Sequence, residues 1–249
     1  MVTLPDEKSL PLYSFALKEN NYLQNIALNG LTYARGDVWA VPALATAGRY
    51  SELYTTLGMP AGALQDPVFM PTAPISNIFG SMVTSTATAL SYGFVEEGRF
   101  WLTRDGKYEW TKTTKRGFRN ELKCLKKNSP RPLTKQRKQT SQERFDAQGG
   151  ETVLYMKLHD HVGLRTAYSA LKVWLSQCRH NRAFTEAEEK NYFQSFFISY
   201  GMRYCGVGAI EEDEHRVNFA LKTFEEFWTA FECKDKDKMK ATDDCRIVK

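Results

Sequence analysis

His159, Asp160 and His161 stand side by side in a chain with only four histidines. Imidazole is the side chain best suited to move protons near neutral pH or to hold a divalent metal. The run ETVLYMKLH (151–159) leading into them reads as a β-strand. Alternate side chains of an extended segment share a face, so His159 and His161 are candidates for one proton-transfer or metal site. Cys178 and His180 follow near the end of the next helical run and make a zinc site geometrically conceivable. The paired spacing of a structural zinc cluster is missing, and no metal or other cofactor is expected.

Placed beside a phosphodiester, either histidine could act as the base of a small nuclease, with a neighbouring lysine or arginine steadying the developing charge. Glu121-x-Lys123, downstream of Asp105, is the nearest approach to a metal-dependent nuclease, but the two side chains diverge on a helix. A phosphate-binding loop, a dinucleotide fingerprint and a serine-hydrolase elbow are all missing from the sequence. The acidic run Glu211–Glu214 fits the start of a helix, where the macrodipole favours carboxylates.

A second chemistry lies upstream. Between Lys112 and Arg144 there are twelve Lys or Arg residues and two acids, in a chain whose net charge is +5. The cations are Lys112, Lys115, Arg116, Arg119, Lys123, Lys126, Lys127, Arg131, Lys135, Arg137, Lys138 and Arg144. So concentrated a strip could displace counterions from several phosphates at once, the main source of affinity for a nucleic-acid backbone. Serine, threonine and glutamine side chains over 129–142 add neutral donors for phosphate and sugar oxygens. Phe100, Trp101, Tyr108 and Trp110 could stack on unpaired bases. An acidic protein could use the same charge. A membrane surface is less suited, since Phe118 and two leucines make a small anchor.

These groups need elements to position them. Phe118, Leu122 and Leu125 form one apolar stripe, so KRGFRNELKCLKK reads as a short helix ended by Asn128-Ser129-Pro130. From there to Gly150 the chain is polar and reads as an arm. Upstream, SYGFV, RFWLT and KYEWT, joined by EEG and by Asp105-Gly106, predict an antiparallel meander over 82–112, with MVTSTATAL (82–90) as a further strand. LPLYSFAL (10–17) and DVWAV (37–41) read as short strands. The spacing of Leu44, Ala47, Tyr50, Tyr54 and Leu57 predicts a helix over 42–58, and the proline-rich 59–80 an ordered connection.

Downstream the pattern is helical. Leu164, Tyr168, Leu171, Leu175 and Cys178 share one side, Thr185-x-x-Glu188 is a capping box, and Tyr192, Phe193, Phe196, Phe197 and Tyr200 recur at helical spacing. A last helix is expected over 214–231, followed by a charged tail.

Strands first and helices later indicate an α+β fold: a mixed N-terminal region with an antiparallel β-meander (1–111), a basic helix and flexible arm (112–150), and a C-terminal α-helical bundle (151–249). Five widely spaced cysteines without a CxxC favour reduced thiols and a cytoplasmic setting. No secretory leader or membrane span is apparent. The expected function is non-catalytic nucleic-acid binding, to RNA or DNA. The protein would be one subunit of a larger nucleoprotein assembly such as a CRISPR-type effector complex. A nuclease using His159 or His161, and an adaptor for an acidic protein, are the alternatives.

Overall fold

A computed structural model describes residues 41, 44–51, 55–94, 110–128, 143–178, 184–205 and 210–246, the backbone alone for 143–155 and 210–213. The described residues are mostly helical. Their one sheet is a hairpin of β1 (Arg49–Ser51) and β2 (Thr56–Gly58), paired Arg49↔Gly58, Tyr50↔Leu57 and Ser51↔Thr56. The helix expected over 42–58 is therefore replaced by strands. Local helical spacing yields here to burial of Tyr50 and Val41 in the extended arrangement.

The connection after β2 stays non-helical, apart from a single turn at Ala61–Ala63, as far as Pro74. Helix α1 (Ile75–Ile78) then runs through a π-helical turn (Phe79–Val83) into α2 (Thr84–Ser91). The strand expected over 82–90 is thus helical. Its hydroxyls bond back to the preceding turn, Thr84 to the Phe79 carbonyl and Thr86 to that of Met82, both at 2.9 Å. Residues that usually favour strands are satisfied in this way within a helix. Ser91 ends α2 and 92–94 turn back on it, so the strand expected at SYGFV does not form over 91–94. Residues 95–109, with the rest of the expected meander, and the expected strands at 10–17 and 37–40 lie outside the described residues.

Helix α3 (Lys112–Asn128) forms as its stripe predicts. The Thr111 hydroxyl accepts from the Thr114 amide at 3.1 Å and caps its start. Leu125 is fully buried, packed with Leu158, Phe219 and Cys245. Residues 129–142 lie outside the described residues, but 143–150, expected as arm, open the 36-residue helix α4 (Glu143–Cys178). The predicted strand 151–159 and the boundary placed at residue 150 both fall inside it. A short apolar run cannot by itself distinguish strand from helix, and here Leu158 packs on a second face of the helix, against Leu125 and Phe219.

The core lies where α4 meets α5 (Glu186–Met202), α6 (Ile210–Lys222) and α7 (Glu225–Ala230). Leu164, Tyr168, Leu171 and Leu175 pack on Phe196, Phe197, Tyr200 and Phe224. The Thr185 capping box is present: the Glu188 amide donates to the Thr185 hydroxyl at 3.2 Å, and the Thr185 amide to the Glu188 carboxylate at 2.9 Å. The helix expected over 214–231 breaks at Thr223-Phe224, where Phe224 turns extended. The break swings the Phe224 ring into the core, 5.4 Å from both Tyr168 and Phe197. The tail does not trail free: Ala241 and Cys245 are buried.

Candidate functional site

Successive residues on a helix point about 100° apart, so His159, Asp160 and His161 leave α4 in three directions. The expectation that the two histidines share a site depended on an extended backbone and fails with it.

His159 faces α2. Its Nδ1 lies 2.8 Å from the Ser91 hydroxyl, which itself donates to the Thr88 carbonyl at 2.6 Å. Nδ1 therefore carries the proton and donates to Ser91. The ring stacks on Tyr92 with centroids 3.6 Å apart. Burial, against the opposing pull of Asp160, moves its pKa down to about 4.

His161 faces the tail and is fully buried. Its Nε2 lies 2.5 Å from the Cys245 carbonyl and 2.8 Å from Arg165 Nε, and its Nδ1 faces the Thr223 hydroxyl at 3.3 Å. Burial first, and then the Arg165 guanidinium 2.8 Å away, push its pKa down to about 3. Arg165 in turn binds the Thr223 carbonyl at 3.1 Å and the Asp244 carboxylate.

Asp160 faces α5 and α6 and has no solvent exposure. Arg216 grips both of its oxygens, Tyr204 donates at 3.1 Å, and Arg203 stands at 3.8 Å. The triplet thus anchors α4 to α2, to the tail, and to α5 and α6. Neither histidine is exposed to a substrate.

The cationic strip is divided. On α3, Lys112, Arg116, Arg119, Lys123, Lys126 and Lys127 are exposed and Lys115 is half-buried. Lys127 pairs with Asp243 of the tail at 2.6 Å. Arg131, Lys135, Arg137 and Lys138 lie outside the described residues, as does His180, and Arg144 is described only as backbone within α4.

Two features escaped the sequence reading. Cys124 and Cys245, 121 residues apart, form a disulfide that ties α3 to the tail, so these two thiols are not reduced as expected. No spacing rule connects cysteines so far apart. The second is an apolar groove of about 570 Å³ between α2, α3 and α4, walled by Leu90, Phe94, Trp110, Phe118 and Val162, with Asn120 and Glu121 among its polar lining. Its parts are single residues on separate elements, without a common period to reveal them.

A bundle of this architecture is shared with solved structures. The chain superposes with a TM-score of 0.61 on PepO from Lactobacillus rhamnosis, covering 87% of this chain and 33% of that one at 18% identity. On the zinc metalloprotease Zmp1 of Mycobacterium tuberculosis the score is 0.59, over 86% and 34%, at 18% identity. Residues 49–247 match the model of peptidase family M13, and the chain belongs to that family. Membrane metallo-endopeptidase-like 1 of Mus musculus is 28% identical over 96% of this chain and 33% of its own length. Endothelin-converting enzyme-like 1 of Rattus norvegicus is 24% identical over 94% and 32%. The chain spans about a third of the length of these curated relatives.

Membership in a peptidase family overturns the nucleic-acid reading, and with it the RNA or DNA partner, the ribonucleoprotein assembly and the nuclease alternative. Charge density measures affinity for polyanions in general and carries no information about which polyanion, or about none. The zinc of such enzymes also finds no fit here. A helical zinc protease site needs His-Glu-x-x-His, and none of the four histidines is followed by glutamate. His159 has its Nδ1 held at Ser91, and His161 has its Nε2 enclosed between the Cys245 carbonyl and Arg165. Among the described residues no group of three His, Cys, Asp or Glu side chains could hold a metal, and no helix is long and apolar enough to cross a membrane.

Proposed function

We propose that this chain forms the supporting, substrate-facing part of an M13-type peptidase, acting on peptides, with the hydrolytic metal held by residues other than those described here. The observation that carries this reading is the family match over residues 49–247. The inward-turned histidines support a scaffolding role over a catalytic one, and the apolar groove beside α3 offers a peptide side chain a seat. The Cys124–Cys245 disulfide favours an oxidising compartment over the cytoplasm, because cytosolic thiol buffers keep such pairs reduced.

The test is metal content and hydrolysis of the purified chain. We expect less than stoichiometric zinc after dialysis, and no cleavage of a fluorogenic peptide beyond buffer background. A tightly held equivalent of zinc, lost on replacing His159 or His161 by alanine, would overturn the reading.

A further inference from the structure

Lys112, Arg116, Arg119, Lys123 and Lys126 follow one another on α3 at intervals of four, three, four and three residues, and all five are exposed. At 100° per residue they fall within an arc of about 80°, and at 1.5 Å per residue they extend over about 21 Å. Phe118 and Leu125 hold the opposite side of the helix against the bundle. The disulfide at Cys124 fastens that same helix to the tail, so the stripe sits on a fixed support. A straight row of five cations on a rigid helix matches a linear polymer with regularly repeated anionic groups.

We propose that this face of α3 is a docking surface for a sulfated polysaccharide. Three observations select that partner. The disulfide favours an oxidising compartment, where extended polyanions are sulfated glycans rather than nucleic acids. The cationic arc contains no leucine, phenylalanine or tryptophan to enter a bilayer, which a stable membrane attachment needs beside charge. It equally lacks the aromatic or aliphatic anchor around which protein interfaces concentrate their binding energy. The sulfated-glycan surface is independent of the peptidase reading: it rests on the helix face and the disulfide, and either conclusion can fail without the other.

Retention of the chain on immobilised heparin tests it, with desulfated heparin, duplex DNA and phosphatidylserine vesicles as parallel arms. The variant Arg116→Glu/Arg119→Glu/Lys123→Glu should bind heparin about tenfold or more weakly and elute at lower salt, since each lost cation removes one released counterion. The same reversal on the tail, Lys234→Glu/Lys236→Glu/Lys238→Glu, should change affinity less than about threefold. Should the charge-reversed helix fail to fold by circular dichroism, Arg116→Gln/Arg119→Gln/Lys123→Gln replaces it. Equal losses from the α3 and tail variants, undiminished binding to desulfated heparin, or tighter binding to DNA or vesicles than to heparin would each overturn the proposal.

Discussion

Arg216 reaches from α6 to grip both carboxylate oxygens of Asp160 on α4, Nε to Oδ2 at 2.7 Å and one terminal nitrogen to Oδ1 at 2.9 Å. Asp160 is completely enclosed, with the Tyr204 hydroxyl completing its shell. A sequence motif that suggested proton transfer is instead a seam between helices.

Removing one member of this pair leaves the other charged and without its counter-ion. Asp160→Asn keeps the shape but not the charge, and should lower unfolding free energy by roughly 3–5 kcal/mol, the usual cost of breaking a buried ion pair. Urea titration followed by circular dichroism reads it. The double variant Asp160→Asn/Arg216→Met should recover part of the loss, because it removes the orphaned cation. A loss below about 1 kcal/mol for the single variant would show that the pair is not buried as described.

The two histidines give the fold a pH dependence of definite sign. Both are depressed in the folded state, to about 4 and about 3, from an ordinary value near 6.5. Below pH 6.5 the unfolded chain therefore takes up protons that the folded chain refuses. Their contribution to stability is complete above pH 6.5 and declines as pH falls toward 4, by up to about 1.4 kcal/mol per pH unit for each ring. Urea midpoints at pH 7.0 and pH 4.5 measure the decline. His159→Phe, which preserves a ring against Tyr92, should reduce the slope over that window.

The disulfide closes a loop of more than a hundred residues, and on the chain-entropy model such a link stabilises by about 4–5 kcal/mol. Cys124→Ser/Cys245→Ser, or the native chain in reductant, should melt at a markedly lower temperature. Alkylation followed by mass spectrometry should label three cysteines before reduction and all five after it, since Cys178, Cys205 and Cys233 are free.

Gly163 and Gly117 both occupy helices and should respond oppositely to alanine. A methyl group at Gly163 would run into the Thr88 side chain and its backbone nitrogen, where α2 crosses α4. At Gly117 it would meet nothing within 4 Å. Gly163→Ala should destabilise by more than about 1 kcal/mol through overpacking, whereas Gly117→Ala should stabilise by roughly 0.5–1 kcal/mol through helix propensity. Thermal melts of the two variants decide it.

Legibility along this chain followed the range of the interactions. The stripe of α3, the Thr185 cap and the aromatic face of α5 depend on residues within two turns of one another, and the sequence displays them directly. The hairpin at Tyr50, the helical state of 82–90 and the break at Phe224 depend on distant partners: the burial of Val41 and Tyr50, the close approach of α4 at Gly163, and the pocket between Tyr168 and Phe197. The histidine triplet was visible, but its meaning was set by whether the backbone there was strand or helix. The strip of charge was equally plain, and it named no partner.

Because Cys124 and Cys245 are bonded, the backbone between them is a closed ring. A single cut by trypsin after Lys135, Arg137 or Lys138 would open that ring without releasing either piece. The nicked molecule would migrate as one band on a non-reducing gel and divide into two only when a thiol is added.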